Sequence, residues 1–330
     1  MSGEHPEAMN AANGEAAGRV EAKVDSRLEN QGERFGSGRG VTATTVGMFV
    51  PVFAIWLIAS IFALMPIGLL LGAIAGNATA GAYVCWLGWT FGAVLVFLRP
   101  VEERVSHMIF GVRKPTSAEV DTLKPLWDGI CDSAKIDSRR YLLRIEDQPS
   151  LNAHAAAGHL VTVTRGAMQL PHDMLQGILA HELGHHRDLH PVASLLTWWF
   201  LLPIGLLDWC LRIIVRATAF VLQFFEGWLI FFLAIVVLSL LAARFFFFIP
   251  VKLAEFFGLI MGRAGEYRAD RHAVDMGYGP GLLAALQYFL DQGFDDGAPT
   301  GIAGLYNTHP PLHKRIAAID KRIAQAAGAA

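Results

Sequence analysis

Residues 176–190 read QGILAHELGHHRDLH, four histidines and a glutamate between two strongly apolar regions. Met174, Ile178 and Leu179 keep helical spacing and Pro171 suits a first turn, so the stretch predicts a helix. On a helix, His181 and His185 of the HExxH pattern lie one turn apart on one face, where both imidazoles reach a single metal ion. Glu182 then stands beside the metal's water. Two neutral imidazoles and a carboxylate suit zinc, with the fourth position left to water. His186 and His190 fall off that face or a turn beyond it, and are read as interfacial or supporting residues.

A third ligand must come from elsewhere. The HExxHxxGxxH extension fails, because Asp188 stands where the glycine belongs and Pro191 where the last histidine belongs. The acids downstream include Asp208, Glu226, Glu255 and Glu266. Glu266 and Asp270, in RAGEYRAD (residues 263–270), lie one helical turn apart, which suits a ligand and an acid that orients a ligand histidine. Alone the pair would be a solvated stripe. Beside an HExxH that needs a partner, Glu266 is the preferred ligand and Asp270 its support.

The flanking composition sets the context. The chain of 330 residues is 53% hydrophobic and 17% charged, with a mean hydropathy of +0.40, too apolar for a typical soluble enzyme. A net charge of -2 supplies no basic field, so nucleic acid is excluded as a partner. Cys85, Cys131 and Cys210 form no CxxC and no paired spacing, which points to a reducing compartment for the catalytic part.

Residues 46–75 and 78–98 carry no charge, and each run exceeds the roughly 20 residues that cross a bilayer as a helix. Arg27, Arg34 and Arg39 precede this hairpin, Arg99, Arg104, Arg113 and Lys114 follow it, and its short connection has none. Both ends are therefore expected on the cytoplasmic side. Two further runs, 192–215 and about 219–249, are again long enough to span. Asp208, inside the third run, has Arg212 one turn on and reads as a structural ion pair. Residues 117–134 have helical spacing, while 140–145, 152–156 and 160–164 read as short strands. Helical stretches are expected at 253–276, 281–290 and 311–326.

The expected organisation has five parts: a disordered cytoplasmic tail (1–40), a transmembrane hairpin (41–100), the first part of an α+β catalytic domain with the HExxH helix (101–191), a second transmembrane hairpin (192–250), and the second part of that domain with the third ligand (251–330).

HExxH, two apolar runs and then Arg-x-x-Glu-Tyr-x-Ala-Asp resemble the membrane-embedded gluzincins, the family of the HtpX heat-shock proteases and the CAAX prenyl proteases. The likeness runs from about Val46 to Ile323, and four spans in a two-plus-two arrangement look like the HtpX branch. It implies a zincin-like α+β metalloprotease domain with four transmembrane helices, two before it and two inserted within it. It also implies one zinc ion held by His181, His185 and Glu266, with Asp270 as the supporting acid. Ser150-Leu-Asn152-Ala153, followed by residues 160–164, resembles the family's strands beside the cleft, which makes Asn152, Ala153, His154 and Ala155 substrate-binding candidates. Thr308-His309-Pro310-Pro311 with Arg315 resembles its late THPP segment, whose histidine and arginine help stabilise the reacting carbonyl. His154 departs from the aromatic that many members carry, and the long tail is extra.

Glu182 is then the general base on the attacking water, and His309 and Arg315 complete the catalytic set. An exposed strand edge pairs with extended polypeptide through its main chain, with little sequence choice. The expected function is an integral-membrane zinc endopeptidase of a bacterial inner membrane, its site facing the cytoplasm, acting on misfolded or damaged membrane proteins. A CAAX-type processing protease is the second expectation, which the span count opposes. A non-catalytic zinc-bound membrane scaffold is the third; the intact Glu182 opposes it, since a structural zinc site has no need of a base.

Overall fold

A computed structural model describes residues 38–224, 227–293 and 310–328. Most of the expected tail, together with Glu226 and His309, lies outside the described residues. The chain divides into two compact units. Among the described residues, one comprises 99–193, 259–293 and 310–328 with 38–46, the other 47–98, 194–224 and 227–258.

The first unit begins with α3 (Arg99–Phe110) and α4 (Ser117–Ser133), the latter started by a capping box between Thr116 and Glu119. Three short strands follow: β1 (Leu142–Glu146), β2 (Ala153–Ala156) and β3 (Leu160–Thr164). They lie within the stretches expected from sequence apart from one residue at the end of β1, and form a sheet of order β1-β3-β2, with β1 parallel and β2 antiparallel to β3. Central β3 is buried at all five residues. Arg113 covers the outer side of β1 by exchanging main-chain hydrogen bonds with Ile145 at 2.8 and 2.9 Å, so the remaining open edge is that of β2.

The HExxH helix is α5 (His172–Arg187), entered from Pro171 in extended conformation. Leu175, Ile178, Leu179 and Leu183 are buried along it and pack with Leu123, Trp127 and Ile130 of α4 and with Val161 and Val163 of β3. On α8 (Gly279–Asp291), Leu282 and Leu286 join the same core. The α5–α8 crossing is close enough to require glycine: a Cβ on Gly177 would stand 2.2 Å from the Leu282 nitrogen, and one on Gly281 2.2 Å from the Asp173 oxygen. Helix α9 (Leu312–Gly328) closes the unit through Ile319.

The second unit is helical. Helix α1 (Gly38–Ile74) ends at Gly76, whose φ of 88° turns the chain, and Asn77 caps α2 (Ala78–Leu95) by accepting from the Ala80 N–H at 2.9 Å. Trp56, Leu64, Ala93, Phe200 and Ile204 form its core. Trp89 stacks on Trp199 with centroids 4.4 Å apart, and the Trp86 ring N–H donates to Ser60 Oγ at 2.8 Å. Among the described residues, two helices are long and apolar enough to cross a membrane, α2 and α6 (His190–Val221). Residues 63–74 and 230–242 form shorter apolar helical segments. Cys85, Cys131 and Cys210 are all free thiols.

Two boundaries differ from the sequence expectation. The third apolar run was expected to end near residue 215, but α6 continues to Val221 and the turn comes at Gly227, with φ 77°. Nothing between Arg216 and Val221 breaks a helix, and a glycine in the left-handed region does. The expected break between 249 and 253 is absent: α7 (Trp228–Asp275) runs through Pro250 as one helix of 48 residues. Hydropathy changes there, and helical conformation does not. Arg212 does pair with Asp208, at 2.9 Å.

Candidate metal centre

Helix α5 brings His181 and His185 together, their Nε2 atoms 3.1 Å apart. Helix α7 adds Glu266, whose carboxylate oxygens lie 3.5 Å from His181 Nε2 and 3.3 Å from His185 Nε2. All three residues are buried. Zinc bonds of 2.0–2.1 Å in tetrahedral geometry place ligand atoms about 3.3 Å apart, and each of these separations is close to that, although the two histidines meet different oxygens of Glu266. Gly184, the free position inside HExxH, makes the approach possible: a Cβ there would come 2.8 Å from Ala269 Cα on α7.

Asp270 stands behind the cluster. Its Oδ1 accepts from the Nδ1–H of His181 at 2.8 Å, which fixes the tautomer and leaves the lone pair of Nε2 directed at the centre. Burial works against the ionised form of Asp270, but the Arg315 guanidinium and His181 outweigh it and hold the carboxyl below its usual range. Burial also disfavours charge on His185, yet the Glu266 carboxylate pushes it up to about 9.

The donor set suits a divalent cation. When ionised, Glu182, Glu266 and Asp270 set three negative charges against the one positive charge of Arg315, a formal balance of -2 once both imidazoles are neutral, as metal ligation requires. Arg315 Nη1 pairs with Glu266 at 2.8 Å, and Nε and Nη2 donate to Asp270 at 2.9 and 2.6 Å. Its guanidinium is engaged with the two carboxylates, where the sequence reading had it facing a reacting carbonyl. His309, the other half of that expectation, lies outside the described residues.

Of the four expected substrate-binding residues, Asn152 pairs its backbone with Thr164, and Ala153 to Ala156 form β2. The pairing alternates, so Ala153 and Ala155 turn their N–H and C=O groups away from β3. The outward N–H of Ala155 donates to Glu182 Oε2 at 2.6 Å. The strand edge and the carboxylate of HExxH are therefore in direct contact. His154 is half-buried and sits opposite Thr162.

The remaining histidines have other tasks. His186 donates from Nε2 to the Leu160 carbonyl at 2.8 Å, anchoring α5 to the start of β3, and burial pushes it down to about 4, which keeps it neutral. His190 lies 5.2 Å from His185 between ring centroids.

Sequence reasoning passed over Asp188, which it used only to exclude an extended histidine motif. Asp188 is buried at the carboxyl end of α5 and accepts from Arg268 Nε at 2.6 Å, with His272 Nε2 3.3 Å away. Arg268 and His272 follow Glu266 on α7, so this cluster ties the HExxH helix to the helix of the third ligand. Its signal in the sequence was an acid placed at the end of the HExxH helix, next to Arg187 and His186.

Residues 118–323 match the profile of Peptidase family M48. A protease HtpX homolog of Salinibacter ruber is 27% identical over 298 residues, which cover 80% of this chain and 97% of that protein. One from Bacteroides fragilis is 28% identical over 217 residues, covering 54% of this chain and 62% of its own length. Among solved structures, S. mikatae Ste24p aligns with 86% of this chain and 64% of its own at 17% identity, with a TM-score of 0.47.

Proposed function

This chain belongs to Peptidase family M48, a family of metallopeptidases, and from that premise we propose that it is an integral-membrane zinc endopeptidase acting on unfolded or damaged membrane proteins. The observation that carries the reading is the buried cluster of His181, His185 and Glu266, with separations of 3.1 to 3.5 Å, beside a Glu182 carboxylate held at a strand edge. Zinc at that place supplies Lewis-acid polarisation of a carbonyl and a lowered pKa for water.

The chain's own residues do the rest. Glu182 takes the proton of the attacking water and returns it to the leaving amine. Asp270 keeps His181 in the ligating tautomer, and Arg315 holds Glu266 and Asp270 in place. The outward groups of Ala153 and the outward carbonyl of Ala155 pair with an extended polypeptide, which gives affinity with little sequence choice. His309 serves the developing oxyanion by its likeness to the family's THPP segment.

The proposed membrane arrangement has four spans. Residues 41–100 and 192–250 form the two hairpins, and the tail and both parts of the catalytic domain face the cytoplasm of a bacterial inner membrane. The arginines and lysine flanking the first hairpin and the apolarity of α2 and α6 support it.

The test is cleavage of an unfolded membrane protein by the purified, zinc-loaded wild type beside Glu182→Gln, with cut sites mapped by mass spectrometry. The variant keeps one zinc per chain and loses roughly 10²- to 10⁴-fold in rate. Undiminished cleavage would overturn the proposal.

A further inference from the structure

Glu102 lies in the first turn of α3, and its side chain is fully enclosed, yet the metal centre makes no use of it. Its carboxylate reaches the turn between β2 and β3. Oε1 accepts from the backbone N–H of Gly158 at 2.6 Å and of His159 at 2.8 Å, and Oε2 lies 2.9 Å from His159 Nδ1. A buried carboxylate satisfied in this way is costly to strip of its partners.

The turn needs such a seat. Ala157 has a φ of 52°, in the left-handed region that a residue with a Cβ enters only when its surroundings hold it there. The seat is itself fixed to the sheet: Glu103 pairs with Arg144 of β1 at 2.7 Å, and Arg99 donates to the carbonyls of Arg139 and Arg140 at 3.3 and 3.1 Å. From the turn, β2 leads directly to Ala155, whose N–H meets Glu182.

We propose that Glu102 is a positioning residue for the substrate edge. By seating the turn at Ala157 to His159, it sets where β2 presents the outward backbone groups of Ala153 and Ala155. This rests on the endopeptidase reading above. Glu102 touches no reacting atom and acts through β2.

The test uses the full-length, zinc-loaded protein. Glu102→Gln keeps the shape of the side chain but puts an amide among N–H donors. The KM for an unfolded polypeptide, which pairs along β2, rises about tenfold. The KM for a short fluorogenic peptide that reaches only the metal centre stays unchanged. Zinc remains at one per chain, and amide hydrogen exchange accelerates over residues 153–159 alone. Adding Ala157→Gly to Glu102→Gln returns the KM toward the wild-type value, because glycine enters this conformation without the strain that the seat otherwise offsets.

An equal rise in KM for both substrates, an increase in exchange spread across the whole unit, or no rescue by the glycine would each overturn the proposal. A zinc-loaded wild type that cleaves neither substrate overturns the endopeptidase reading instead. Exchange over 153–159 needs no substrate and still decides whether Glu102 seats the turn.

Discussion

Glu102, Asp188, Arg268, Asp270 and Arg315 are all buried in the unit that holds the metal centre, each in an ion pair or a set of hydrogen bonds. In the helical unit, Ser60 is the buried polar residue among those described, while Leu70, Val84, Phe91, Phe231 and Trp228 are more than half exposed. On the proposed membrane arrangement, one chain follows two solvent rules. In water, charges come inside only when a partner meets them. In lipid, apolar side chains have no reason to hide.

Breaking a charge on the first side gives the largest effect. Asp270→Ala leaves Arg315 and His181 without their buried carboxylate, and stability falls by about 3 to 5 kcal/mol in denaturant titrations. Competition with a chelator should also show zinc held roughly 10- to 100-fold more weakly. An unchanged midpoint would mean that these charges are solvated after all.

Placing a charge on the second side sharpens the contrast. Val84 lies near the middle of α2 and is 70% exposed. Val84→Arg should cost about 2.5 to 3.5 kcal/mol in membrane insertion, read as the inserted fraction in a translocation assay. Insertion equal to that of the wild type would remove α2's exposed face from the lipid.

The smallest effect is at the surface of the first unit. Hydrogen bonds from Arg113 hold the Glu119 carboxyl down to about 2, from an ordinary 4.5. A depressed carboxyl stabilises the fold above its ordinary value, and that contribution drains away as pH falls from 4.5 toward 2. The thermal midpoint of Arg113→Leu should therefore lie slightly below that of the wild type at neutral pH, and the gap should close in that acid window. The pair is partly exposed and screened, so the gap is small. A gap independent of pH would assign it to packing.

The same contrast explains what could be read without a structure. The HExxH helix, the three strands and the apolar runs each carry a period or a composition, and their positions were legible. Glu266 and Asp270 were legible because a two-histidine motif needs a partner and their spacing supplies one. Glu102 carried no reading of its own: it stands between Arg99 and Arg104, and only the basic residues served to orient the hairpin. Pairings such as Glu102 with the Gly158 turn, or Asp188 with Arg268, join positions 56 and 80 residues apart and leave no local pattern. The continuity of α7 was missed for a related reason, since hydropathy reports what surrounds a helix and not where the helix stops.

The link from Asp188 to Arg268 has a consequence for metal uptake. His185 and Glu266 are separated by a long excursion of the chain through two helices, and bringing the ends of such an interval together costs an entropy that grows with the logarithm of its length. Asp188 and Arg268 close nearly the same interval with an ion pair of their own. That pair meets the closure entropy independently of the ligands, so a metal held by His185 and Glu266 would not have to meet it a second time.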